Sequence, residues 1–226
     1  MLHVNRHETL FKSFDVSVKP PYTSLADLAR GYLECFRGAY EGPGRYYHTL
    51  RHIENALIAF DLMVPENLPN RNRIELAIWF HDIVYDVTKH DNEEASAGVF
   101  EHNARFALGL SQEVIGDVKQ MILATKHTSG QTGLTAYLVD VDLSILGCLP
   151  ELFDEYEENV KKEYVPAVTT DEGFRAGRLA FLKGMLKRKA DGGFIFSTPE
   201  FQGEWERIAV LNIERSIAKL EAAAPV

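Results

Sequence analysis

Two histidines stand four residues apart in "RYYHTLRH" (45–52), at His48 and His52, and a His81–Asp82 doublet interrupts the apolar run "LAIWFHDIVYD" (76–86). Buried polar groups are costly unless they are paired or bind a metal. In a helix, positions i and i+4 lie above one another on one face, so His48 and His52 are expected to point together. His81 and Asp82, about 100° apart around a helix axis, can still converge on one ion if a partner helix lies opposite their bisector. A further acid is needed, and Asp142 in "VDVDLSILG" (139–147) is the candidate. Histidines and aspartates together supply nitrogen and oxygen donors, a mixture suited to Mn, Fe, Co, Ni or Zn and tolerant of Mg. Four protein ligands on an octahedral divalent ion leave two positions for water and substrate. That is the layout of a hydrolytic metal site, where bound water becomes nucleophilic near neutral pH.

The chain that must position these groups has 226 residues, 46% of them hydrophobic and 25% charged, which suits a single globular domain able to bury a sizeable core. Its formal net charge of -9 argues against a general nucleic-acid binder, because a phosphate backbone demands a basic surface. A local basic pocket for one small phosphate is compatible with it. Cys35 and Cys148 each stand alone among apolar neighbours, as buried core thiols would, and make neither a disulfide framework nor a zinc–cysteine site. The start, "MLHVNRHETLFKSF", has no apolar signal core, and no run is long enough to span a membrane, so a cytoplasmic setting with no membrane partner is expected. The sequence leaves the oligomeric state open.

Helical periodicity dominates, and an all-α fold is predicted: one domain over 1–226, with a metal-site core over about 24–146 and further helices over about 150–222. Ser24 and Asp27 read as a capping box opening a helix that Gly42, Pro43 and Gly44 break. The next helix is expected to carry His48 and His52. "RIELAIWFHDIVYD" is apolar nearly all round and predicts a central, buried helix holding His81 and Asp82. Asp91 with Glu94 reads as a second capping box, and Ser111 as the cap of "QEVIGDVKQMILATKH". "LTAYLVDVDLSILG" alternates like a strand around Asp140 and Asp142, but its length and the lack of a partner strand favour a helix. Pro150 suits a first helical position. Two more helices follow around "FRAGRLAFLKGMLKR" and "EWERIAVLNIERSIAKLEAA", with an ordered loop between them.

A separated His, a His-Asp doublet in an apolar helix and a distant Asp resemble the HD superfamily of metal-dependent phosphohydrolases. "YYHTLRH" is similar to the "YHNxxH" element of cyclic-nucleotide phosphodiesterases, and "DVDLS" to their "ADLS" segment. The chain also resembles an uncharacterised bacterial group of predicted HD phosphohydrolases. It shares their "YHxxxH", "FHDxVYD", "DNExxSA" and "DxDLSILG" stretches and a later "EY…F…GR" at Glu163-Tyr164, Phe174 and Gly177-Arg178. The resemblance covers roughly 45–212. It implies an all-helical bundle with the metal between central helices, ligands His52, His81, Asp82 and Asp142, and His48 as proton donor beside the catalytic Asp82. It implies a small phosphorylated substrate, with nucleotides among the candidates. Thr49 stands where the phosphodiesterases carry Asn, and their nucleotide-clamping glutamine and flanking aromatics have no counterpart here, so a cyclic nucleotide is not implied.

Around this set stand residues with less specific signals. Asp140 lies about 200° from Asp142 on a helix and cannot face the same ion; it is a candidate to orient a ligand histidine. His127 would be a second-metal ligand, a phosphate contact or simply a cation at a helix end. Glu93 is a first-turn helix acid, a general base or an acid that supports a ligand residue from behind. Arg45, Lys89, Lys126 and Arg178 are candidate phosphate binders, each also readable as a solvated charge. His3, His7, His90 and His102 read as surface residues. Two other readings stand beside hydrolysis: a di-iron oxygenase, which needs additional histidines, and a non-catalytic ligand-binding or regulatory domain, for which four converging ligands and an acid have no use.

Overall fold

The computed structural model describes residues 2–126 and 131–222. They fold into ten α-helices, and no strand is present among them. The helices are α1 (Leu2–Ser13), α2 (Leu25–Tyr40), α3 (Leu50–Met63), α4 (Arg71–Phe80), α5 (Asn92–His102), α6 (Gln112–Ala124), α7 (Gly133–Asp142), α8 (Pro150–Tyr164), α9 (Asp171–Ala190) and α10 (Glu204–Ala222). A π-helical segment, Asn103–Leu108, follows α5, and a 3-10 turn, Leu143–Gly147, follows α7. No helix among the described residues is long and apolar enough to cross a membrane.

The most apolar helix sits at the centre, as its sequence demands. Ile74 and the whole run Leu76–Phe80 of α4 are buried, and α4 packs against α1, α3, α5, α6 and α7. Each large apolar side chain removed from water contributes about 1.5–3 kcal/mol. The charge α4 carries inward, Arg73, is neutralised by Glu113 and Asp117 of α6. Ser24 and Ser111 cap α2 and α6 by accepting the amides of Asp27 and Val114. Asp91 stands at the cap of α5 but makes no side-chain cap bond; Asn92 instead clasps the backbone of Asp86, and Glu94 turns to Lys126. The ambiguous segment is helical: α7 is buried along Leu138–Val141 and passes directly into the 3-10 turn.

That turn anchors the C-terminal helices. Asn212 of α10 donates to the carbonyls of Leu146 and Cys148, both at 2.9 Å. Gly147 is required there: a Cβ would lie 2.8 Å from the Trp205 carbonyl oxygen. The stretch between α9 and α10 is an ordered loop with Ile195, Phe196 and Phe201 buried.

The first residues, for which the sequence predicts no element, form α1, whose Leu10 and Phe11 enter the core. Three expectations change. His7 lies on the inner face of α1, 1% exposed, against Phe36 and Trp79, so it is not a surface residue. Cys35 is exposed and Cys148 half-buried, so neither is a fully buried thiol. The helix expected to carry both His48 and His52 begins only at Leu50, and the one expected to carry His81 and Asp82 ends at Phe80.

Candidate metal centre

Helix ends, rather than helix faces, assemble the polar centre. His52 lies in the first turn of α3, His81 is the C-cap of α4, Asp82 follows in the succeeding turn, and Asp142 closes α7. The helices meet because their apolar faces pack: α3, α4 and α7 contact one another pairwise. His52 and His81 are 3% and 2% exposed.

Their Nε2 atoms are 3.0 Å apart. Asp82 Oδ2 stands 3.1 Å from His81 Nε2 and 3.6 Å from His52 Nε2. Asp142 Oδ1 stands 3.4 Å from His81 Nε2 and 3.2 Å from His52 Nε2. His52, His81 and Asp142 each offer a ligand atom within 4.8 Å of the other two. Nitrogens at right angles on one ion, each bonded at the usual length, lie about 3.0 Å apart, and at tetrahedral angles about 3.4 Å. The donor spacings therefore fit one divalent cation. The tautomer fits as well: His81 Nδ1–H donates to the Ile78 carbonyl at 2.9 Å, which leaves the Nε2 lone pair facing the cluster.

The local field favours positive charge between these residues. Burial lowers the proton affinity of both imidazoles, but the charges and hydrogen bonds of Asp82 and Asp142 raise His81 well above the ordinary histidine value while His52 stays below it. Burial opposes ionisation of Asp82, yet His81 holds its carboxyl far below the usual range.

His48 belongs to the same site by a different route. It lies in the turn before α3, not one helical turn from His52, and the two rings are 5.8 Å apart, edge to face. What holds it is Glu163 of α8. Glu163 Oε2 accepts His48 Nδ1–H at 2.7 Å, and Oε1 accepts the backbone amides of Tyr46, Tyr47 and His48 at 2.7, 2.7 and 2.9 Å. Burial raises the carboxyl, but these donors, His48 first, bring it down to about 2, so it stays ionised. An ionised Glu163 fixes the proton on Nδ1 and leaves Nε2 for the pocket. Burial lowers the His48 pKa, but the Glu163 hydrogen bond and the nearby aspartates outweigh it and set the value above the ordinary one. Sequence reasoning gave Glu163 only as a motif letter. The signal was its place on α8: the buried positions are Phe153, Tyr156, Val160 and Glu163, so an acid stands where the helical period calls for an apolar residue.

A cavity of about 380 Å³ opens over the cluster, walled by His48, Asp82 and Asp142 together with Tyr85, Lys89, Glu93, Lys126 and Tyr164. Lys89 and Glu93 thus border the site. Lys126 does too, but it pairs with Glu94 at 2.7 Å and approaches Glu93 at 3.8 Å. Three other candidates are occupied elsewhere. Arg45 donates to the carbonyls of His48 and Ile83 and so binds two turns together rather than facing the cavity. Arg178 is buried, paired with Glu157 at 2.5 Å and stacked on Tyr156 and Phe181; it borders a separate apolar cavity between α8 and α9. Asp140 does not orient a ligand histidine. It accepts the amides of Ser197 and Thr198 and the Thr198 hydroxyl, at 2.7, 2.7 and 2.6 Å. His127 lies outside the described residues.

No family model and no curated protein matches this sequence. Among solved structures, the chain is similar to the phosphodiesterase domain of the RhoPDE fusion protein from the choanoflagellate Salpingoeca rosetta, with a TM-score of 0.57 and 13% identity over 98% of this chain and 88% of that one. At that identity the likeness is one of fold, and it places the ten helices of the described residues in a phosphodiesterase-like all-helical arrangement.

Proposed function

We propose that this chain is a metal-dependent phosphohydrolase of HD type, built as one domain, that hydrolyses a phosphoester of a small molecule, with nucleotides among the substrates to test. The observation that carries this reading is the convergence of His52, His81, Asp82 and Asp142 beneath a cavity into which a carboxylate-held imidazole, His48, also opens. The phosphodiesterase-like fold supports it.

The four residues would hold one divalent ion, whose chemistry when bound is to polarise a phosphoryl oxygen and acidify water. Asp82 and Asp142 would supply the negative charge to retain it, and the Ile78 carbonyl keeps the His81 proton on Nδ1, the tautomer that ligation through Nε2 would need. His48 does the proton work. With Nδ1–H engaged by Glu163, its Nε2 carries the exchangeable proton and delivers it to the departing ester oxygen. Such acid catalysis contributes about 10²–10⁴-fold. Lys89, on the rim, adds positive charge for an anionic substrate.

Phosphate release should be screened over many phosphorylated metabolites with Mn, Co, Ni, Mg and Zn, for the wild type and Asp82→Ala. Turnover that requires a divalent ion and disappears in the variant is the expected result. A metal-loaded protein inert across the whole panel would overturn the reading.

A further inference from the structure

Tyr85 ends the run "FHDIVY", three residues past Asp82 in the turn after α4. Its ring stacks on the His48 imidazole, with centroids 4.1 Å apart and planes 28° from parallel. Its hydroxyl donates to Glu163 Oε2 at 3.0 Å, the same oxygen that accepts His48 Nδ1–H. Burial and the Glu163 charge push the Tyr85 pKa far up, so the hydroxyl keeps its proton and can serve as donor.

The frame around Tyr85 is braced from two sides. The Val84 amide donates to Ser96 Oγ at 3.1 Å, and Ser96 Oγ donates back to the Val84 carbonyl at 3.2 Å. Arg45 places its guanidinium 5.3 Å from the Tyr85 ring centre and donates to the carbonyls of His48 and Ile83, at 2.8 and 3.1 Å. The turn that carries His48 and the turn that carries Tyr85 are therefore one unit.

His48 needs such a frame because no helix carries it. One hydrogen bond from Nδ1 fixes a single point of the imidazole and leaves the ring free to tilt about the N–H···O axis. Tilting would swing Nε2 away from the reacting oxygen. A flat surface against the ring face removes that freedom. We propose that Tyr85 is a positioning residue for His48: its ring fixes the imidazole plane, and its hydroxyl holds the carboxylate oxygen that fixes the tautomer. The proposal rests on His48 being the acid. It assigns a task to a residue that neither binds the metal nor donates the proton, and it explains why an aromatic carrying a hydroxyl stands at the turn.

The test uses the Zn-loaded full chain labelled with ¹⁵N-histidine, with Tyr85→Phe and Tyr85→Leu as variants. The His48 Nδ1–H resonance, identified by its loss in His48→Gln, is expected far downfield in the wild type. Tyr85→Phe, which keeps the ring and loses the hydroxyl, should shift that resonance and speed its exchange with water; Tyr85→Leu should lose it to exchange. On an alkyl phosphoester, kcat should fall about 10–100-fold in Tyr85→Leu, with KM and zinc stoichiometry unchanged, and Tyr85→Phe should recover most of the loss. A resonance unchanged in both variants overturns the proposal. So does a rise in KM at constant kcat, which would make Tyr85 a substrate contact. Should Tyr85→Leu fail to fold, Tyr85→Phe decides alone, an unmoved resonance overturning the role of the hydroxyl. If the wild type turns over no phosphoester, the hydrolase reading fails while the resonances still decide whether Tyr85 positions His48.

Discussion

Asp140 and Asp142 lie one residue apart on α7 and face opposite sides, and the two sides use their carboxylates differently. Asp140 is fully buried and saturated: two amides and a hydroxyl from the loop between α9 and α10 converge on its oxygens. Glu206 treats the same loop alike, accepting the amides of Ile195 and Phe196. Asp142 instead faces two imidazole nitrogens across 3.2 and 3.4 Å, with Asp82 on the same pair. A carboxylate satisfied by fixed amide donors holds a loop in place. Carboxylates gathered around two buried imidazoles make a field that favours positive charge between them. The comparison separates a structural acid from a candidate ligand by what surrounds it: backbone amides and a hydroxyl in one case, buried imidazoles in the other.

The largest effects should come from breaking the cation side. His81→Ala and Asp82→Ala should lose the divalent ion, about one per chain in the wild type, and with it all metal-dependent turnover; elemental analysis checks it. Asp140→Ala should keep the metal. Equal metal content in all the variants would remove the distinction between the two faces. Next comes His48→Ala, which should retain metal and lose about 10²–10⁴-fold in rate on an alkyl phosphoester, with a smaller loss on a nitrophenyl ester whose leaving group needs no proton. Equal losses on both substrates would mean that His48 positions the phosphate or the water.

The structural side should show itself in stability. Asp140→Ala strands two amides and a hydroxyl, and a cost of about 4 kcal/mol in unfolding free energy by denaturant titration is expected. The smallest effect sharpens the contrast from the histidine side. His7 is buried against aromatic rings with no acid beside it; Nδ1–H donates to the His3 carbonyl at 2.8 Å, and Nε2 has no partner. Burial, helped by the charges of His3 and Arg6, pushes its pKa down to about 4. The unfolded chain then takes up the proton first, so this group costs stability progressively as pH falls from its ordinary value of 6.5 towards 4. Between pH 7 and pH 5, His7→Leu should remove about 2 kcal/mol of that acid loss. Unfolding free energies of wild type and variant at pH 7 and pH 5 check it: parallel changes would place His7 in a wetter environment.

By itself, the sequence determined the fold class, the central helix and the members of the polar cluster. These are legible because they rest on local regularities: the helical period, Ser24 and Ser111 as caps, Pro150 as a helix start, and polar side chains intruding on an apolar run. Only the tertiary structure decided how the cluster is built. His48 and His52 share a site although they do not share a helix, and His81 and Asp82 converge from a helix end and a turn. Helix boundaries depend on which amides and carbonyls find partners across the fold, and a periodic pattern cannot supply that. The same holds for Glu163, whose five donors come from residues more than seventy positions away. Arg45 and Asp140 had the composition of site residues, but folding gave their hydrogen bonds to carbonyls and amides. A side chain's chemistry is written in its type; which partner it meets is set by packing between segments distant in the chain.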